Sequence, residues 1–363
     1  MTKTVAVIGG GYGGSALAKA LDEHAHVVLI DPKDAFVHSA GSLRALVRPD
    51  WAPNMFFPFD TLLTHGRLIR QRAASVDPAG VTLATGERVE ADYIVLASGS
   101  GYPYPAKMDT DDHREALARL RDTHGELDTA ARVLIVGAGP VGLELAGEIK
   151  AVWPGKSVAL IDPAETLLPA FDERLREDLH HQLGELGIEV LLGHSLSEEP
   201  PVEPGRASTF TVATSGGQLT ADIWFRAHGV AVNGDYLADG RLTARNAAGQ
   251  VAVTEHLNVE GHDKVYALGD ITDLAEAKMA GYAMQHAEVV AANIRAGLDG
   301  AAPEAVYRPS PIPSVLLPLG PKAGVGQFPS PDGPVLLDAA TVSAYKGADL
   351  FTGRFAELFG VEG

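Results

Sequence analysis

The chain has no cysteine in its 363 residues. That absence removes disulfides, a redox-active dithiol, persulfide chemistry and thiolate-held iron–sulfur clusters, so any electron transfer must belong to a bound organic group. No apolar run approaches the roughly 18 residues that a membrane-crossing helix needs. Positive charge is scarce: 29 basic against 47 acidic residues leave a formal charge of −18, and a nucleic-acid role would work against that field. The amino end enters its first apolar run without a charged leader and shows no Gly-x-x-x-Ser/Thr lipidation pattern. These absences point to a cytoplasmic protein with no transmembrane segment, and no metal-ligating cluster is expected.

Glycine is abundant, at 40 residues, and two stretches place it with regular spacing. VAVIGGGYGGSALAKAL (Val5 to Leu21) and VLIVGAGPVGLELAGEI (Val133 to Ile149) each run from β-branched and apolar residues through glycines into an apolar pattern of helical period. The glycines are Gly9, Gly11 and Gly14, then Gly137, Gly139 and Gly142. In such a turn the first lets the chain reverse, the second admits backbone to a pyrophosphate, and the third lets helix pack on strand. The helix start aims unpaired N–H groups and a positive dipole end at the phosphates. A further strand follows each helix, HVVLID and SVALID, ending in Asp31 and Asp162, where a ribose hydroxyl would need an acceptor.

The duplication extends beyond the glycines. ATGERVEADYIVLASG, ending at Gly99, is echoed by TSGGQLTADIWFRAHG, ending at Gly229, and both carry Ala-Asp (Ala91-Asp92, Ala221-Asp222) before an apolar strand. One period kept over a domain length indicates two copies of a nucleotide-binding unit. A third strand, KVYALGD, leads into a long helical pattern, and the chain after Ala301 becomes rich in proline and glycine. The expected fold is α/β: two Rossmann-like dinucleotide-binding domains in a glutathione-reductase-like arrangement, with a small C-terminal β-containing extension. The expected divisions are 1–105 with 255–300, then 106–254, then 301–363.

These motifs, with DPKDAFVHSAGSLRALV, GLELAGEIK, NVEGHDKVYALGD, AKMAGYAMQHAEVVAANI and GVGQF, resemble the two-dinucleotide-binding-domain flavoprotein reductases. Within them the chain is similar to the ferroptosis-suppressor-protein branch of the apoptosis-inducing-factor group, with type II NADH dehydrogenases as neighbours. The resemblance implies an FAD-dependent NAD(P)H oxidoreductase, with NADH ahead of NADPH and a quinone-type acceptor. Gly9, Gly11, Gly14, Asp31, Ser98, Gly99, Asp270 and Met279 would meet FAD. Gly137, Gly139, Gly142 and Asp162 would meet the nicotinamide nucleotide. The helix placed near Ala277 would aim its N-terminus, with Lys278 beside it, at charge held by reduced flavin. Glu144 and Glu148 share a helix face, and Glu148 would stand where flavin and nicotinamide meet. Arg44 would pair with a phosphate, and His38 would face the ring or move protons, although both could instead be surface loop residues. Hydride transfer needs two stacked rings and no protein acid or base, which accounts for two nucleotide folds.

Two other functions remain open. One is a reductase of a small electron-transfer protein, which a −18 chain disfavours for acidic ferredoxins. The other is a slow NADH-binding redox sensor or interaction flavoprotein. Leu350, Phe351, Phe355, Leu358 and Phe359 near the C-terminus recur at helical spacing. Packing on the body, self-association and peripheral membrane contact would each use such a face, and the acidic Asp349, Glu357 and Glu362 favour packing over membrane.

Overall fold

The computed structural model describes residues 2–361, so Glu362 lies outside the described residues. The duplicated pattern folds as two parallel sheets. The first has five strands in the order Val265–Ala267, Tyr93–Leu96, Thr4–Ile8, His26–Ile30 and Arg67–Ile69. The second has four, Ile188–Leu192, Ser157–Asp162, Arg132–Val136 and Ile223–Arg226. Their strands are nearly unbroken apolar runs because helices and hairpins cover both faces, as parallel sheets require.

Among the described residues eight α-helices surround the sheets: α1 (Tyr12–Leu21), α2 (Ser42–Val47), α3 (His113–Thr129), α4 (Pro140–Val152), α5 (Glu173–Glu185), α6 (Ala280–Leu298), α7 (Ala339–Val342) and α8 (Thr352–Phe359). The two Ala-Asp pairs do the same work in each copy. Asp92 accepts the Thr4 N–H at 2.9 Å and pairs with Lys3 at 2.6 Å. Asp222 accepts the Arg132 N–H at 3.0 Å and pairs with its guanidinium at 2.7 Å, which holds the Asp222 carboxyl well below the usual range. Each acid thus ties the strand of its glycine turn to the neighbouring strand, and this explains why the pair recurs.

The C-terminal extension is an antiparallel sheet, Val315–Leu319, Ala323–Ser330 and Gly333–Leu337, followed by α7, a π-turn at Ser343–Gly347 and α8. It rests on the second sheet's helices. Gln182 of α5 accepts the Gly324 N–H at 2.7 Å and donates to its carbonyl at 3.0 Å. Gly147 of α4 lies so close to the strand Val315–Leu319 that a Cβ would stand 2.4 Å from the Leu319 Cα.

The tail helix is shorter than its apolar spacing suggests. Leu350 and Phe351 precede α8 in left-handed backbone, φ 58° and 63°, so the continuous stripe expected from Leu350 is broken there. What remains still packs inward: Phe355 and Phe359 are buried against Tyr12, Phe36, Phe57 and Phe59 of the first sheet's layer. Among the described residues no helix is long and apolar enough to cross a membrane.

The glycine contact at α4 yields a stability test. Gly147→Ala must push backbone from backbone and is expected to lower unfolding stability by about 2 kcal/mol. Gly125→Ala on exposed α3 meets nothing within 4 Å and is expected to raise it by roughly 0.5–1 kcal/mol. Thermal or denaturant unfolding of the two variants checks both signs.

Candidate functional site

The first glycine turn opens onto a cavity of about 580 Å³. Gly9 makes the reversal at φ +105°, where a Cβ would also strike the Ala97 carbonyl at 2.4 Å. Gly14 brings α1 onto the strand so tightly that a Cβ would stand 1.9 Å from the Gly9 carbonyl. Gly11 is different: a Cβ there would meet nothing within 4 Å, which leaves backbone open to a ligand. The second turn repeats all three relations. Gly137 has φ +113° with a Cβ 2.5 Å from the Ala227 carbonyl, Gly142 would place one 2.0 Å from the Gly137 carbonyl, and Gly139 faces open space. Two turns shaped alike, each with an open middle glycine at a helix start, fit the pyrophosphates of two dinucleotides.

The acids that close the second strands also take matching places. Asp31 accepts the Gly10 N–H at 2.7 Å and the Lys33 N–H at 2.8 Å. Asp162 accepts the Ala138 N–H at 2.7 Å and the Ala164 N–H at 2.8 Å. Both carboxylates therefore brace their own glycine turn. Burial pushes the Asp31 carboxyl up from its ordinary value, and the two N–H donors oppose that shift.

Of the expected flavin-contacting residues, Gly9, Gly11, Asp31, Ser98, Gly99, Asp270, Lys278 and Met279 line the cavity. Gly14 stands behind it. Ser98 donates to the Asn233 carbonyl at 2.6 Å and lies 3.0 Å from the Tyr236 hydroxyl, which fixes the first connection between the sheets against the second. There Ser100–Gly101 pairs antiparallel with Ala231–Val232. Asp270 accepts from the Ser100 hydroxyl at 2.5 Å and lies 3.7 Å from the Lys107 ammonium, whose pKa burial lowers and Asp270 raises. Lys107 lines the cavity too. Only its place a few residues after the Ser98-Gly99 turn hinted at it in the sequence. Tyr12, inside the first glycine run, is another lining residue the motif alone does not assign.

Lys278 differs from the expected first-turn lysine. Helix α6 begins at Ala280, with Met279 at its N-cap, so Lys278 lies in the preceding loop. Its ammonium donates to the Thr272 and Leu274 carbonyls at 2.8 and 3.1 Å, and burial lowers its pKa.

Arg44, Glu148 and His38 stand together behind the cavity instead of in its lining. The Arg44 guanidinium meets Glu148 through Nε at 3.1 Å and Nη2 at 2.6 Å, and it donates to the carbonyls of Gly347 and Ala348. Both side chains are almost wholly buried, so Arg44 holds a carboxylate and two carbonyls and not the phosphate expected of it. Glu144, one turn earlier, pairs with Lys346 at 2.7 Å, and burial raises its carboxyl. His38 is 1% exposed. Its Nδ1 lies 3.0 Å from the Tyr12 hydroxyl, which accepts the Ala40 N–H at 2.9 Å, and its Nε2 lies 2.6 Å from the Leu350 carbonyl. The Leu350 carbonyl requires a proton on Nε2, burial favours the neutral ring, and the contacts set Tyr12 between His38 and the cavity.

Asp34, Asp112 and His113 form a half-buried cluster held by hydrogen bonds of its own and by a helix cap. Asp112 caps α3 and Asp34 holds both the His113 N–H and its ring.

Comparison with known proteins agrees with this geometry. A sequence-family model described as pyridine nucleotide-disulphide oxidoreductase matches residues 3–295. Ferroptosis suppressor protein 1 of Taeniopygia guttata is 32% identical over 362 residues, covering 96% of this chain and 94% of the relative. The structure of the sulfide:quinone oxidoreductase of Aquifex aeolicus superposes with a TM-score of 0.77 at 18% identity, over 98% of this chain and 91% of that one. NDH2 from Plasmodium falciparum in complex with NADH superposes with a TM-score of 0.73 at 15% identity, over 99% and 98%.

The His38 contacts carry a pH dependence. Burial pushes the His38 pKa down to about 4 from 6.5, so folding favours the neutral ring. The stabilisation is complete above about pH 6.5, where the unfolded chain is also neutral, and is lost as pH falls toward 4. His38→Asn is expected to lower unfolding stability at pH 7, with the gap from wild type closing between pH 6.5 and 4. Denaturant unfolding across that range measures it, and a gap that stays constant would contradict the assignment.

Proposed function

The chain belongs to the pyridine nucleotide-disulphide oxidoreductase family and is an FAD-dependent NAD(P)H oxidoreductase, and on that premise we propose that it passes electrons from NADH to a quinone-type acceptor. The observation that carries the proposal is the pair of glycine turns, alike in backbone, in close contacts and in the open position at Gly11 and Gly139. FAD, when bound, supplies the ring that accepts hydride from the nicotinamide and hands electrons onward.

In this reading residues 1–105 with 255–300 hold FAD, and residues 106–254 hold NADH. The N–H groups at the start of α1 take the FAD pyrophosphate, and those at the start of α4 take that of NADH. Asp31 and Asp162, fixed by their own turns, present carboxylate to the adenosine riboses. Lys107 and Lys278, the cavity ammonium groups near Asp270, oppose negative charge gained by the cofactor. Glu148 is held from behind by Arg44 and so keeps one orientation on α4 beside the nicotinamide half. With no cysteine in the chain, no disulfide relay carries electrons out of the site. An organic acceptor that takes electrons directly from the reduced cofactor, such as a quinone, suits that restriction. The protein is read as cytoplasmic.

Steady-state oxidation of NADH in the presence of soluble quinones tests the proposal. Turnover with quinone supports it; turnover only with an added protein carrier, or one slow reduction without turnover, would replace it by a carrier reductase or a sensor. The two turns are separable by substitution, since a side chain at Gly11 or Gly139 points into open space and spares the fold. Gly11→Val is expected to give flavin-free protein, and Gly139→Val a yellow protein that NADH reduces poorly. Equal loss of flavin from both would contradict the assignment of halves.

Cofactor choice has its own check. A carboxylate at Asp162 accepts from a ribose 2′-hydroxyl and repels a 2′-phosphate, so kcat/KM for NADH is expected to exceed that for NADPH by roughly tenfold or more. Asp162→Ala should narrow the ratio, and equal efficiencies in the wild type would refute the preference.

A further inference from the structure

The Gly269–Asp270 turn and the loop Leu274–Met279 both border the cavity, and both are gripped from behind by one buried side chain. We propose that His286 is a positioning residue, which holds these two segments in register with the flavin through a buried chain of Tyr307, Glu276, His286 and the Gly269 N–H. The inference rests on the assignment of the cavity to FAD.

His286 lies on α6 with its side chain 1% exposed, and the Glu276 carboxylate it faces is 5% exposed. Burying an imidazole and a carboxylate costs free energy unless both have partners. The partners here run in one direction. Nδ1 accepts the Gly269 N–H at 3.0 Å, so the single proton of the neutral ring sits on Nε2. That nitrogen lies 2.8 Å from Glu276 Oε1, out of line for a straight hydrogen bond, which makes the contact one of dipole against charge. The other oxygen, Oε2, accepts from the Tyr307 hydroxyl at 2.6 Å. Burial, with Glu276 next to it, raises the Tyr307 pKa and keeps that hydroxyl protonated as a donor. Tyr307 also stands edge-on to the imidazole, with ring centroids 4.2 Å apart.

The placement explains why the group is there. Gly269 has left-handed backbone, φ +71°, and its N–H points into the protein beside the residue that carries the Asp270 carboxylate. Glu276 lies two residues before Lys278 and three before the Met279 N-cap of α6. One ring therefore touches both the turn that carries the Asp270 carboxylate and the loop that carries the Lys278 ammonium and leads into α6. A change of a few tenths of an ångström in either would alter the charges nearest the flavin.

Three variants test this in the full chain. His286→Phe fills the volume but leaves the Gly269 N–H without an acceptor. His286→Gln offers an amide oxygen to Gly269 and an amide N–H to Glu276. Tyr307→Phe removes the far end of the chain without touching the cavity. The readouts are the FAD dissociation constant of the apoprotein, the flavin midpoint potential and apoprotein unfolding. His286→Phe is expected to weaken FAD binding by roughly tenfold or more, as one unmet buried N–H predicts, and to shift the midpoint potential. Glutamine should restore both to near wild type, and Tyr307→Phe should shift the potential less. Apoprotein melting should stay close to wild type in His286→Gln, whereas His286→Phe, which leaves the buried Gly269 N–H unmet, is expected to melt lower.

Unchanged binding and potential in His286→Phe, or a glutamine variant as impaired as phenylalanine, would overturn the proposal. So would weakened binding in His286→Phe with no shift in midpoint potential, since a merely structural histidine lowers stability and affinity without moving the potential. If His286→Phe does not fold, Tyr307→Phe decides by the same potential measurement. The FAD assignment is checked separately by Gly11→Val: retention of flavin there would remove the premise, whatever the His286 variants show.

Discussion

The buried contact between Arg44 and Glu148 is the constraint on which the rest of the site depends. It joins α2, whose apolar residues pack in one core with those of α3 and α4, to α4, which follows the second glycine turn, and its spare donors reach the carbonyls of Gly347 and Ala348 in the C-terminal segment. Three parts of the chain far apart in sequence therefore share one guanidinium. Such a pair does not have to add stability, because removing two charges from water is costly. Loss of one partner, however, leaves a buried charge at a cost of about 3–5 kcal/mol. Its value is geometric: fork-shaped contact permits one arrangement of the two helices and the tail.

The tail is drawn into the same arrangement. Lys346 pairs with Glu144, one turn before Glu148 on α4, and the Leu350 carbonyl takes its partner from His38. Beyond that point Phe355 and Phe359 join an aromatic group that includes Tyr12, which lines the cavity. Leu350 and Phe351 accept left-handed backbone, unfavourable for residues with a Cβ, because carbonyl and aromatic contacts on either side demand the turn. The C-terminal segment is thus part of the wall behind the cavity and not an appendage to it.

Net charge gives a poor description of the cavity. The chain carries −18 overall, yet Lys33, Lys107 and Lys278 all line the space above the first glycine turn. In the proposed assignment, the phosphates of a bound dinucleotide would meet these ammonium groups and the N-termini of α1 and α6 at short range, where the low local dielectric strengthens each interaction. The distant surface acids are screened by water and salt.

Local physics made the two nucleotide folds legible. A tight turn with φ above +100° and a helix pressed on its strand admit only glycine at Gly9 and Gly14, so the requirement is written in residue identity and repeats at Gly137 and Gly142. Strand period, the Ala-Asp pairs and the closing acids follow from backbone hydrogen bonding and burial, which act over a few residues. What Arg44, His38, Glu148 and His286 face was not legible. A long or titratable side chain adopts whichever partner the packed chain brings to it, and Arg44 finds its carboxylate 104 positions away and a carbonyl 304 away. Likewise the spacing of the tail's apolar residues predicted a face but not where the helix would start, because the break at Leu350 is imposed by His38 and α4. Sequence thus determined the folds and the glycine turns through steric demands internal to each segment. Tertiary structure alone decided which charges are buried together, because the cost of burying a charge is set by neighbours that only the folded chain assembles.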